Sequence, residues 1–151
     1  MVARGGGLVA QLRGTGSAGV GVVHIFDYRD GVVFQLSVDN LLPGATYRVA
    51  LHERGNCKSS NLFSAGPAWA PPDWTKPPGD LLPQVVMNGE GGNTSYEAYI
   101  KGVRTEGPTS LRGRSVVVHW GYTISEAFPG QPNNRMMCGV LDNADPIFQR
   151  D

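Results

Sequence analysis

The amino-acid sequence predicts an all-β domain, an eight-stranded antiparallel Greek-key sandwich or barrel with two long loops. Three observations lead there. Short apolar runs, alternating or rich in β-branched residues, recur between turn signals, while no window keeps a 3.6-residue apolar period. Glycine and proline number 21 and 11 among 151 residues. Only 17% of the chain is charged, so the composition suits a loop-rich β protein better than a helical one.

Residues 8–12 read as the first strand and 19–26 as the second. Asp30-Gly31 is a turn signal ahead of 32–38, where Val32, Phe34, Leu36 and Val38 fall on one face of a period-2 strand. Leu42-Pro43-Gly44 makes the next turn, because proline and glycine pre-set its backbone. Residues 47–52 form a fourth strand, and 85–87, 96–100, 115–120 and 139–141 complete the set. Many short strands with glycine-rich turns argue a Greek-key arrangement. Two irregular stretches interrupt it. Residues 53–83 carry Pro67, Pro71, Pro72, Pro77, Pro78 and Pro83 with Trp69 and Trp74; residues 121–134 carry Gly121, Pro129, Gly130 and Pro132. Loops this long inside a compact domain are usually functional or stapled.

The length suits one domain over 1–151, with 1–7 as a flexible N-terminal extension. The formal net charge is zero, and no basic stripe suggests nucleic acid. No apolar run approaches the roughly 20 residues that span a bilayer. Residues 1–7 lack the apolar segment of a signal peptide. The chain therefore reads as the mature part of an exported protein, extracellular or periplasmic, rather than a cytoplasmic one. Cys57 and Cys138 are far apart in sequence, and on that ground alone could be bridged or be two buried thiols.

Several motifs in order carry a resemblance. Val49-Ala50-Leu51-His52-Glu53-Arg54-Gly55-Asn56-Cys57 follows the pattern H-V-H-E-x-G-D/N-C, and Ser64-Ala65-Gly66-Pro67-Ala68 follows S-A-G-x-H. Gly79-Asp80-Leu81 matches G-D-L. Residues 111–119 match I-x-G-R-x-x-V-V-H, and 135–140 match the start of R-x-x-C-G-V-I. From about Leu8 to Leu141 the chain resembles the copper/zinc superoxide dismutases. That resemblance implies their β-sandwich, a disulfide between Cys57 and Cys138, a zinc-binding loop at 53–83 and an electrostatic loop at 121–134. A disulfide would favour an exported location.

In that family four histidines hold copper and three histidines with an aspartate hold zinc, one histidine serving both, so six are needed. This chain has three, His24, His52 and His119. His52 and His119 match copper ligands, but Ala50 and Ala68 stand at the other two positions and bring no donor atom. Asp80 alone matches a zinc ligand; Asp73 and Trp74 lie near the second zinc histidine and Pro77 at the third. Copper(II) favours tetragonal nitrogen sites and stable zinc sites want about four donors, so neither centre is complete. The bridging aspartate after the last copper histidine is also missing from Trp120-Gly121-Tyr122-Thr123-Ile124.

Arg135 matches the arginine that guides the anionic substrate, but the favoured reading is a guanidinium tying a loop to backbone carbonyls. His52 and His119 are either core histidines bonded to backbone or contacts for weakly held copper or haem. His24 reads as a surface or edge residue. One of Met136 and Met137 faces the core, Trp69 reads as a plug, and Trp74 is open between plug and partner patch. The Gly14–Gly19 run lacks the helix and lysine of a phosphate loop. Asn93-Thr94-Ser95 fits a glycosylation acceptor.

The expected function is a superoxide-dismutase-like pseudoenzyme: a non-catalytic binding or structural module, secreted, with no cofactor and a protein partner on the 67–78 loop. A homodimer is compatible with the sequence. The alternative is a weak copper-binding or residual redox protein using His52 and His119.

Overall fold

A computed structural model describes residues 7–14, 20–39, 46–82, 85–86, 93–107, 109–121 and 134–143. Alternation of apolar and polar residues builds its strands: β1 (Leu8–Gly14), β2 (Val20–Tyr28), β3 (Gly31–Asp39), β4 (Thr46–His52), β5 (Val85–Val86), β6 (Asn93–Lys101), β7 (Ser115–Trp120), β8 (Arg135–Val140) and β9 (Asp142–Asn143). Eight form one antiparallel path in the order β5-β4-β7-β8-β1-β2-β3-β6, and β9 adds a short ladder to β1. The chain leaves β3 for β4 and β6 for β7, each time moving to the other half of the path, which is the Greek-key signature.

The sheet curls around one apolar core. Val32, Phe34, Leu36 and Val38 of β3 all point into it, in the predicted alternation, and meet Val49 and Leu51 of β4, Val116 and Val118 of β7 and Met137 of β8 in one cluster. Met136, the neighbour, is only partly buried. A second, smaller cluster of Leu62, Ala65, Val117 and Cys138, with Cys57, lies on the opposite face of β7 and β8. The 53–82 loop covers that face, so β7 is buried on both sides from Ser115 to His119.

Differences from the sequence reading fall at element ends. The eighth strand begins at Arg135 rather than 139: both Arg135 and Met137 are buried although neither is β-branched, Met137 in the core and Arg135 against the loop at Leu62, with a register shift between them. β6 starts at Asn93, and β9 was not expected. His24 lies on β2, flanked by β1 and β3, so it is a half-buried residue of an interior strand and not an edge. The Leu42-Pro43-Gly44 turn, the 15–19 part of the glycine run, Met87 and most of the 121–134 loop lie outside the described residues. Of the expected 1–7 extension only Gly7 is described, and it is buried.

Candidate functional site

The outer face of β4 and β7 carries the candidate residues. The period-2 strand puts Arg48, Ala50 and His52 on one face of β4. Across the ladder, Arg48 pairs with His119, Ala50 with Val117 and His52 with Ser115. The loop then returns to this strand. Trp69 N–H donates to the Leu51 carbonyl at 2.8 Å and Glu53 N–H to the Pro67 carbonyl at 3.0 Å, which lays Ala68 beside His52 as an isolated bridge. His52 and His119 meet here, Ala50 shares the face of His52, and Ala68 is bridged to it.

The two imidazoles, both fully buried, meet. Their Nε2 atoms are 3.0 Å apart and their rings are nearly parallel, with centroids 5.1 Å apart. His52 Nδ1–H donates to the Gly66 carbonyl at 2.9 Å. His119 Nδ1–H donates to Asn134 Oδ1 at 3.0 Å, and the Asn134 amide is oriented by its own donation to the Trp120 carbonyl at 2.9 Å. With both Nδ1 protons committed outward, the Nε2 lone pairs face each other. Burial pushes both groups toward the neutral form: His52 to about 3, helped by the nearby His119 and Arg135 charges, and His119 to about 4, helped by Arg135 and Arg48. The uncharged pair thus has two protons for three contacts, and one contact sets acceptor against acceptor.

Asp80 does not join this pair. It sits in the 3-10 turn Pro78–Leu81, half exposed, and its carboxylate lies 3.6 Å from the Arg48 guanidinium, which also donates to the Gly79 carbonyl at 2.9 Å. Pro77 and Asp73 are exposed. Among the described residues no group of three or more His, Cys, Asp or Glu side chains is close enough to hold a metal ion. The donor set does not fit the family's copper and zinc pair: two imidazoles remain at one position and one ion-paired carboxylate at the other.

The rest of the loop is pinned without metal. Cys57 and Cys138 form a disulfide, with Cα atoms 5.7 Å apart. Arg135 is buried, donates to the Leu62 carbonyl at 2.9 Å and lies over the Phe63 ring. That bond holds Leu62, a non-glycine residue at a left-handed φ of 63°. Ser59 and Ser64 exchange hydroxyl and backbone hydrogen bonds. Trp69 is half-buried against the main core beneath the Arg114 guanidinium, 4.0 Å from its ring. Trp74 packs on the same core and donates Nε1–H to the Pro77 carbonyl at 3.1 Å. Both tryptophans therefore face inward, and the exposed crest of the 67–78 loop is Pro72, Asp73, Thr75, Lys76, Pro77 and Pro78.

His24, on β2, is not near the imidazole pair; its ring packs on Phe26 at 5.7 Å. Three contributors escaped sequence reasoning: Arg48, the Gly66 carbonyl and Asn134. For Arg48 a signal existed, since strand alternation puts it on the face of Ala50 and His52. For the other two only the folded contacts reveal the role.

The family model for copper/zinc superoxide dismutase matches residues 20–141. The chain belongs to the copper/zinc superoxide dismutase family. No curated protein matches it.

Proposed function

We propose that this chain is a non-catalytic member of its family, an exported, disulfide-bonded module that binds a protein partner through the proline-rich crest of the 67–78 loop. The observation that supports this most is the donor set. Dismutation requires a metal that changes oxidation state in an open site, and here Ala50 and Ala68 stand at two of the four copper positions while Asp80 is ion-paired with Arg48. The prolines of the crest reduce the entropy lost when a partner orders it. Protein incubated with copper and zinc, then freed of loose metal, should show no superoxide dismutation above that of a His52→Ala/His119→Ala variant. Metal-dependent activity lost in that variant would overturn the reading.

One observation favours a second reading, weak copper binding. The Nε2 lone pairs of His52 and His119 converge at 3.0 Å with both Nδ1 atoms used as outward donors, which is how two imidazoles bind one ion. Under this reading His52→Ala and His119→Ala each abolish copper binding without unfolding the domain.

A further inference from the structure

The geometry points to Arg48 as an internal cation that takes over the loop-closing role of the zinc ion, clamping the 3-10 turn Pro78–Leu81 onto β4. The inference rests on the metal-free reading above and extends it to what holds the loop instead.

In an intact family member the aspartate matching Asp80 has a dication as its partner. Here its partner is a guanidinium carried by the strand beneath. Arg48 is well placed for this, since it lies on the loop-covered face of β4 directly opposite His119 and its side chain is only 14% exposed. A single nitrogen, Nη2, engages both the Gly79 carbonyl, at 2.9 Å, and the Asp80 carboxylate, at 3.6 Å. The two contacts differ in weight. The carboxylate is half exposed, so its attraction is screened. The donation to Gly79 comes from a charged group and is part-buried, the stronger kind of hydrogen bond. Arg135 and the disulfide hold the earlier half of the loop, at Leu62 and Cys57; in the 69–82 half Trp69, Trp74, Leu81 and Leu82 pack on the core, and Arg48 adds the charged tie to Gly79 and Asp80.

Hydrogen exchange read by mass spectrometry on the oxidised protein tests this, with metal content measured on the same samples. The 69–82 segment contains the Trp74→Pro71 and Asp80→Pro77 amide bonds, and 59–66 contains the Leu62→Ser59 and Gly66→Phe63 bonds as an internal control. Arg48→Ala should speed exchange in 69–82 about tenfold and leave 59–66 unchanged, since a lost charged hydrogen bond is worth about one decade in an opening equilibrium. Asp80→Asn should speed it by a smaller factor. Unchanged exchange in both variants would overturn the proposal. If Arg48→Ala does not fold, Arg48→Lys carries the test: faster exchange confined to 69–82 supports the clamp, and unaltered rates overturn it. Stoichiometric zinc in the parent protein would instead refute the metal-free reading on which the clamp rests.

Discussion

The Nε2 atoms of His52 and His119 stand 3.0 Å apart, midway along a run of contacts that ends on the Gly66 carbonyl at one side and the Asn134 side-chain oxygen at the other. Both rings are fully buried, and the neutral form of the pair defines how the protein should respond to acid.

Folded-state values of about 3 for His52 and about 4 for His119 lie below the usual 6.5. The unfolded chain therefore binds more protons than the folded one below pH 6.5, and stability must fall as the solution is acidified from there toward pH 4. Urea denaturation at pH 7.5 and pH 5 should differ by about 4 kcal/mol, about 2 for each of the two groups across that interval. In His52→Gln/His119→Gln most of the difference should vanish, leaving the smaller slope from His24, which burial also lowers. An equal pH dependence in the double variant would contradict a neutral pair.

Reduction of Cys57–Cys138 should be the most damaging single chemical change. The bridge spans 81 residues, and the chain-entropy account assigns a closure of that length about 4 kcal/mol. Thermal scans should show Tm falling by about 10 °C on reduction and not moving when a chelator is added. A Tm that drops with chelator alone would reveal a structural metal.

Arg135 acts as a tie between β8 and the loop at Leu62. Arg135→Met removes a buried charged donor and strands the Leu62 carbonyl, so it should destabilise the fold by about 2 kcal/mol in denaturant titrations. Arg135→Lys should recover only part of this, since an ammonium lacks the guanidinium's planar reach. If both variants were as stable as the parent, the tie would be refuted.

Restoring one ligand should begin to restore the metal. Ala68 is half-buried and bridged to His52, so Ala68→His adds a third imidazole beside the pair. Copper(II) affinity measured by calorimetry should then rise tenfold or more over the parent. The same change at Ala50, which is 2% exposed, should instead overpack the face and lower stability by about 1–3 kcal/mol.

Strand alternation in 32–38 was readable because Val32, Phe34, Leu36 and Val38 face one core, as period-2 patterning requires, while 115–120 was readable as a β-branched run buried on both faces. The ordered motifs around Cys57, Asp80 and Arg135 likewise placed the disulfide correctly and brought His52, His119, Ala50 and Ala68 together. What escaped was set by tertiary contact. Arg135 and Met137 become strand residues because the loop and the core bury them, not through propensity. Asp80 could be matched to a ligand position, yet its partner Arg48 lies 32 residues earlier and only the folded chain makes them neighbours. Trp69 read as a plug and packs on the core beneath Arg114, while Trp74, open between plug and partner patch from the sequence, packs on the same core.

Whether this protein holds metal decides most directly between the two readings. Elemental analysis of protein purified without added metal, followed by calorimetric titration with copper(II) and zinc, should find a folded protein with substoichiometric metal and no tight binding of either ion. Stoichiometric, tight copper that disappears in His52→Ala and in His119→Ala would contradict the metal-free reading.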